Sequence, residues 1–355
     1  MKNFEFLKVV QTSPMVTQIN PFQQPIWRSV DALQVGLGPE AVILEELTRA
    51  QERFVATLVS GIADSQVEAI AKQLKFDLAT AKDLVAQLEP VCLRQPMPEP
   101  TESDFANAEL VRATLNANSD GFALIENRGK KRVYLNQLNR AGAGIAQALA
   151  VAGVGELLTS DRGKVNGGDL NHYLKALENC LRTAALSYQL KETGFKTKVS
   201  ALDSKPFDLA VLVAQQYLPP ARYAPLMSRK VPHIAVLFDH SGVTISPLVI
   251  PGETACLFCA EQARVEADAA WPIIASQLST NQIDFDDTTT RTLAAARVTA
   301  VATAWFDRDQ RANQGWRFDS RSGELRVFEL KPSEHCDCQL ALRLEQVQES
   351  RALAS

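Results

Sequence analysis

Four of the six cysteines stand in two short pairs, Cys256-Leu257-Phe258-Cys259 and Cys336-Asp337-Cys338, with 76 residues between them. A C-x-x-C and a C-x-C together supply four thiolates, the number that closes a tetrahedral shell around a structural zinc ion. A closed shell leaves no position for substrate, so such a metal would hold structure and not catalyse. A single C-x-x-C also suits thiol redox chemistry, where a helix N-terminus lowers a thiol pKa; the second pair favours metal. His335 precedes that pair and is an alternative ligand, one that four sulfurs make unnecessary. Cys92 and Cys180 stand alone and read as small core residues.

The elements that must position these pairs follow from periodicity. Residues 1–93 read as a winged-helix-like α+β domain. Short strands are expected at 25–28, 33–37 and 41–44. Three helices follow, with apolar residues at helical spacing: Leu47, Phe54 and Leu58; Val67, Ile70 and Leu74; Leu78, Ala81, Leu84 and Leu88. Asp64 and Asp77 are the expected helix N-caps. Residues 94–104 carry three prolines and several acids and read as a linker. From 105 to 345 strands alternate with helices. Strands are expected at 132–135, 156–161, 209–213 and 233–238, a helix at 141–152, and a hairpin over 316–330 around Ser322-Gly323. That alternation predicts an α/β domain with a Rossmann-like, doubly wound, mainly parallel sheet.

The motifs in this second part resemble a known family. Ala152-Gly153-Val154-Gly155 after a helix, then a strand ending near Asp161, is similar to the nucleotide-binding part of ThiF-like and MoeB-like proteins. Pro251-Gly252-Glu253-Thr254-Ala255-Cys256 resembles their first zinc pair, and His335-Cys336-Asp337-Cys338 the second. A closer resemblance is to the ThiF-like partner proteins of thiazole/oxazole-modified microcin pathways, the leader-peptide-binding or cyclodehydratase C proteins. It rests on the amino-terminal unit, on Asp268-Ala269-Ala270-Trp271-Pro272 and on the terminal C-x-C. The resemblance implies that residues 1–93 capture a precursor's leader peptide. The groove is expected along residues 26–37 and the helix at 81–88. It also implies a YcaO-type cyclodehydratase as partner and a homodimer.

The departures from the family bear on catalysis. Its G-x-G-x-x-G falls on Gln137, Asn139 and Gly142, so only the third glycine remains. The first two permit a tight turn and close approach of backbone to phosphate. The family's Ser-Asn-Leu-x-Arg becomes Gly168-Asp169-Leu170-Asn171-His172, with histidine for the arginine. Ala214 or Gln215 stands where a metal-binding aspartate is expected. Adenylyl transfer needs positive charge and magnesium on the phosphates. Gly142 and Asp161 are therefore read as remnants of a nucleotide site, with ATP not expected to bind. Asp161 reads equally well as a strand-end acid, His172 as structural and Trp271 as packing. The alternative is an adenylating enzyme acting on a peptide or protein carboxyl terminus.

A net charge of −4 argues against broad nucleic-acid binding. No run of about 18 apolar residues suggests a membrane span. The first residues lack a signal-peptide pattern, so a cytoplasmic location is expected.

Overall fold

The computed structural model describes residues 15–95, 98–170, 172–280, 283–308 and 313–339. Pro96 and Met97 of the expected linker, Asn171, and 340–345 of the expected ThiF-like domain lie outside these. The chain forms two compact units, Met1–Ile125 and Glu126–Ser355.

The first unit holds β1 (Val16–Ile19), β2 (Pro25–Trp27), β3 (Leu33–Val35), β4 (Val42–Leu44), α1 (Arg49–Ser60), β5 (Ile62–Ala63), α2 (Val67–Gln73), α3 (Leu78–Gln87), β6 (Cys92–Leu93), α4 (Glu102–Phe105) and α5 (Ala108–Ala117). Its strands make two three-stranded sheets, β5-β1-β6 and β2-β3-β4. Thr48 and Gln51 form a capping box that starts α1, and Asp77 caps α3 through the Thr80 N–H at 2.8 Å. Asp64 does not cap α2. It opens a short 3-10 turn, and its carboxylate accepts the Thr17 hydroxyl from β1 at 2.8 Å. Leu33, Val35 and Leu44 point inward onto Phe54, Val55 and Leu58 of α1. Ala81, Leu84 and Leu88 are buried in the same core, which leaves them unable to line a groove as the sequence suggested.

Helix α6 (Gly121–Arg128) runs into the second unit. There follow β7 (Arg132–Leu135), α7 (Arg140–Val151), β8 (Glu156–Thr159), α8 (Arg182–Glu192), β9 (Lys198–Ala201), β10 (Leu209–Gln215), α9 (Pro220–Ser228), β11 (His233–Asp239) and β12 (Gly242–Ile245). The chain ends in α10 (Leu257–Ala267), α11 (Trp271–Leu278), α12 (Thr288–Phe306), β13 (Gly315–Asp319) and β14 (Leu325–Phe328). One eight-stranded sheet runs β14-β13-β12-β11-β10-β7-β8-β9. Strands β11 to β9 in that order are parallel, and the β12-β13-β14 side is antiparallel. Strand β10 is buried on both faces, as a central parallel strand must be. Leu209, Val211 and Val213 pack with residues of α7 and α12. Ala210, Leu212 and Ala214 pack with α9 and the cysteine-bearing segments. Among the described residues no helix is long and apolar enough to cross a membrane.

Cys92 is buried in the first unit's core, but Cys180 is exposed. It sits in a turn whose backbone, and not its side chain, is engaged: its carbonyl accepts the Val165 N–H at 2.9 Å.

Candidate functional site

Two sites stand on the second unit. The first is the cysteine cluster. Cys256 is the N-cap of α10, so Cys259 lies in that helix's first turn and its N–H donates to the Cys256 carbonyl at 3.0 Å. Beyond the β13–β14 hairpin the chain returns to place Cys336 and Cys338 beside them. The Sγ–Sγ distances are 3.9 Å for Cys256–Cys259, 3.6 Å for Cys256–Cys336 and 3.5 Å for Cys259–Cys338. All four sulfurs lie within 4.8 Å of one another. A tetrahedron of sulfurs about 2.3 Å from a zinc ion has edges of about 3.8 Å. The four thiols thus stand as a metal's ligands would, and could hold one ion. His335 is exposed and outside the set. Burial, with the neighbouring thiols, pushes the Cys256 thiol up to about 11, and a bound cation would favour its thiolate.

The second site is the crevice at the carboxyl ends of β7 and β10. Strand order reverses there, with β10 on one side of β7 and β8 on the other. Open α/β sheets bind ligands at such a place. The helix that follows β7 is α7, and its N-terminus is occupied by the chain itself. Asn139 is the N-cap, and its Oδ1 accepts the Gly142 N–H at 3.1 Å. That N–H is one of the free donors a phosphate would take. A Cβ on Gly142 would lie 2.0 Å from the Gln137 carbonyl oxygen, so glycine is required by the packing of the turn on its helix. Gln137 Oε1 in turn accepts the Asn139 side-chain amide at 3.2 Å.

Asp161 is only 7% exposed at its side chain. Its carboxylate accepts the N–H groups of Leu138 and Gly163, each at 2.6 Å, and faces Arg182 at 3.4 Å. It fastens the β7–α7 turn, and Arg182 also bridges to Asp169 at 2.9 Å. Arg140, beside the cap, is tied to the buried Asp286 at 2.9 Å, and that carboxylate also accepts the Gln215 amide at 3.2 Å. The Asp286 ion pair spans 146 positions, and no local motif announces it. His172 packs over Gly144, with Nδ1 3.4 Å from Gln147 Oε1, and burial lowers its pKa. It is a packed, neutral residue on α7. A polar cavity of about 330 Å³ remains, lined among others by Asn136, Asp161, Gln215, Tyr217, Arg222 and Asp284. Trp271 donates its indole N–H to Glu261 at 2.8 Å and lies under Arg264.

The sequence matches no family model and no curated protein. It does match solved structures. The microcin C7 biosynthetic enzyme MccB in complex with N-formylated MccA is 15% identical with a TM-score of 0.66, covering 92% of this chain and 100% of that one. Escherichia coli MccB with ATP is 14% identical at 0.66, covering 91% and 99%. E. coli MccB with AMPCPP and MccA is 14% identical at 0.69, covering 92% and 99%. At such identity the likeness concerns architecture: this chain has the fold of MccB along nearly its whole length.

Proposed function

We propose that this protein is a non-catalytic, precursor-peptide-binding partner in the biosynthesis of a ribosomally made, modified peptide. One observation carries the reading: the Asn139 side chain holds the Gly142 N–H at the position a nucleotide phosphate would need. The metal in the cysteine cluster is, on this reading, structural zinc. The second unit docks a YcaO-type cyclodehydratase that supplies the ATP chemistry, and the protein works as a cytoplasmic homodimer. Solved MccB structures with MccA support the peptide half of the proposal.

The peptide's place is in the first unit. A cleft of about 480 Å³ is bounded by Phe22, Ile26 and Leu37 on one side and by Val111, Arg112 and Leu115 of α5 on the other. Leu37 is 79% exposed. Strand β2 pairs only with β3 among the described residues, so its outer edge is open to an added strand. Addition of the precursor peptide should protect amides of 22–37 and 108–117 from hydrogen exchange and leave 81–88 unchanged. Leu37→Glu should weaken binding by about tenfold or more. Protection confined to the second unit would overturn the assignment.

The second reading is an adenylating enzyme, and MccB structures with ATP and AMPCPP favour it. Titration of the zinc-loaded protein with ATP and magnesium separates the two. No heat and no melting shift at millimolar nucleotide is the expected result. Saturable one-to-one binding with pyrophosphate exchange would establish the enzyme instead. Asn139→Gly frees the Gly142 N–H but leaves Gln137 and the Arg140–Asp286 pair, so it is expected to restore no exchange.

A further inference from the structure

A separate cavity of about 310 Å³ lies on the opposite sheet face from α7 and α12, beside the cysteine cluster. Leu237 of β11, Leu257 of α10, Phe328 at the end of β14 and Leu330 beyond it make its apolar wall. Arg264 and Glu261 of α10 and Glu329 are its charged residues. Glu261 is already satisfied: one oxygen accepts from Arg264 at 2.7 Å and the other from the Trp271 indole at 2.8 Å. Arg264 is not. Its guanidinium carries five N–H donors, and the Glu261 bond is its single hydrogen bond among the described residues. The plane is held over the Trp271 ring with 5.0 Å to the centroid. Tyr223, also in the wall, buries a hydroxyl that has no hydrogen-bond partner among the described residues. Burial raises its pKa, so the hydroxyl is a neutral donor in the lining that Arg264 shares.

We propose that this cavity binds a small amphipathic carboxylate, its apolar body against Leu237, Leu257 and Phe328 and its carboxylate on the free donors of Arg264. A fixed guanidinium fork with open donors fits a carboxylate in two-point geometry, and the apolar wall excludes a ligand that is charged throughout. A free medium-chain or aryl acid and the carboxyl terminus of a peptide ending in an apolar residue share this chemistry. The site is a different cavity from the β7–β10 crevice, with Leu218 in the lining of both, and the proposal does not depend on nucleotide or precursor binding.

The test uses the full-length, zinc-loaded protein with octanoate, octanamide, and a short peptide ending in phenylalanine with a free or an amidated terminus. Octanoate should bind saturably, about tenfold tighter than octanamide, since only the charged acceptor gains the stronger hydrogen bonds. Arg264→Gln should remove that preference and Arg264→Lys restore part of it. Ala260→Phe, from the cavity-lining side of α10, should block both ligands while zinc content stays at the wild-type value. The free-acid peptide binding better than octanoate assigns the site to chain ends, and the reverse order to small acids. Equal binding of octanoate and octanamide, octanoate binding unchanged in Ala260→Phe, or no saturation by any of these ligands overturns the proposal.

Discussion

Cys336→Ser should take the metal content of the purified protein from one zinc per chain to near zero and lower the melting temperature of the second unit by about 10 °C. The sulfurs of Cys256, Cys259 and Cys338 remain, but three thiolates do not close a tetrahedral shell. The reason for the large effect lies in what the cluster joins. Cys256, Cys259 and Cys336 are buried in one group with Ala210, Leu212 and Val249. A metal there ties the returning segment after β14 to the sheet and to α10. Structural zinc provides about 10–16 kcal/mol of apparent binding energy in small peptides. This unit has a core of its own, so the loss should be smaller, about 3–5 kcal/mol, which for a unit of this size gives the stated shift. Zinc uptake by the metal-free protein should release protons, because burial holds Cys256 as a thiol with a pKa of about 11. Affinity should therefore fall as pH falls. Cys180→Ser is the control: the side chain is exposed and a change there should be silent. A serine variant at 336 that melts like the wild type with one zinc per chain would remove the structural metal from the account.

Much of the fold was legible because its signals are local. Strand β10 shows as an unbroken apolar run, the helix at 140–151 as a periodic one, and the cysteine pairs by spacing alone. The strands that sequence reading passed over are short or depend on distant partners. Strand β12 is four residues whose pairing with β13 begins at Gly242 opposite Asp319. Strand β9 is exposed at both ends, so it shows no apolar alternation. At the crevice, the residue types at 137, 139 and 142 were visible, but the contacts they make were not. Asn139 reads as a substituted glycine in sequence and as a helix cap in space. The Arg140–Asp286 pair joins the first residue of α7 to the loop before α12, which nothing in the sequence links. The helix at 81–88 shows why spacing does not place a groove: periodicity marks an apolar face, and it does not say whether that face meets a core or a cleft. The face with Ala81, Leu84 and Leu88 meets the core.

The second glycine-bearing segment has a structural cause, which leads to the second large effect. Ala152-Gly153-Val154-Gly155 lies where α7 ends, and a Cβ on Gly155 would stand 1.9 Å from the Gly129 carbonyl oxygen. That contact is clamped by Arg128, the last residue of α6. Its guanidinium donates to the Ala152 carbonyl at 3.1 Å and makes a two-armed pair with Asp307, the residue that caps α12. The two side chains are 4% and 5% exposed, so water and salt screen the pair little. Asp307→Ala would remove the two-armed acceptor of a buried guanidinium, and should cost about 3–5 kcal/mol in chemical unfolding. Replacing both partners together, Arg128→Met with Asp307→Leu, should recover much of that loss, since buried pairs often exchange for apolar contacts near neutrally. A cost below about 1 kcal/mol for Asp307→Ala, the range of surface pairs, would show that the pair is not buried in solution. The clamp and Gly155 precede the strands, whereas Asn139 and Asp161 follow them. Glycine thus stands where the backbone packs closely, at 142 and 155, and Asn139 stands as the cap of α7. The double variant should accordingly bind precursor peptide as the wild type does at temperatures below its melt.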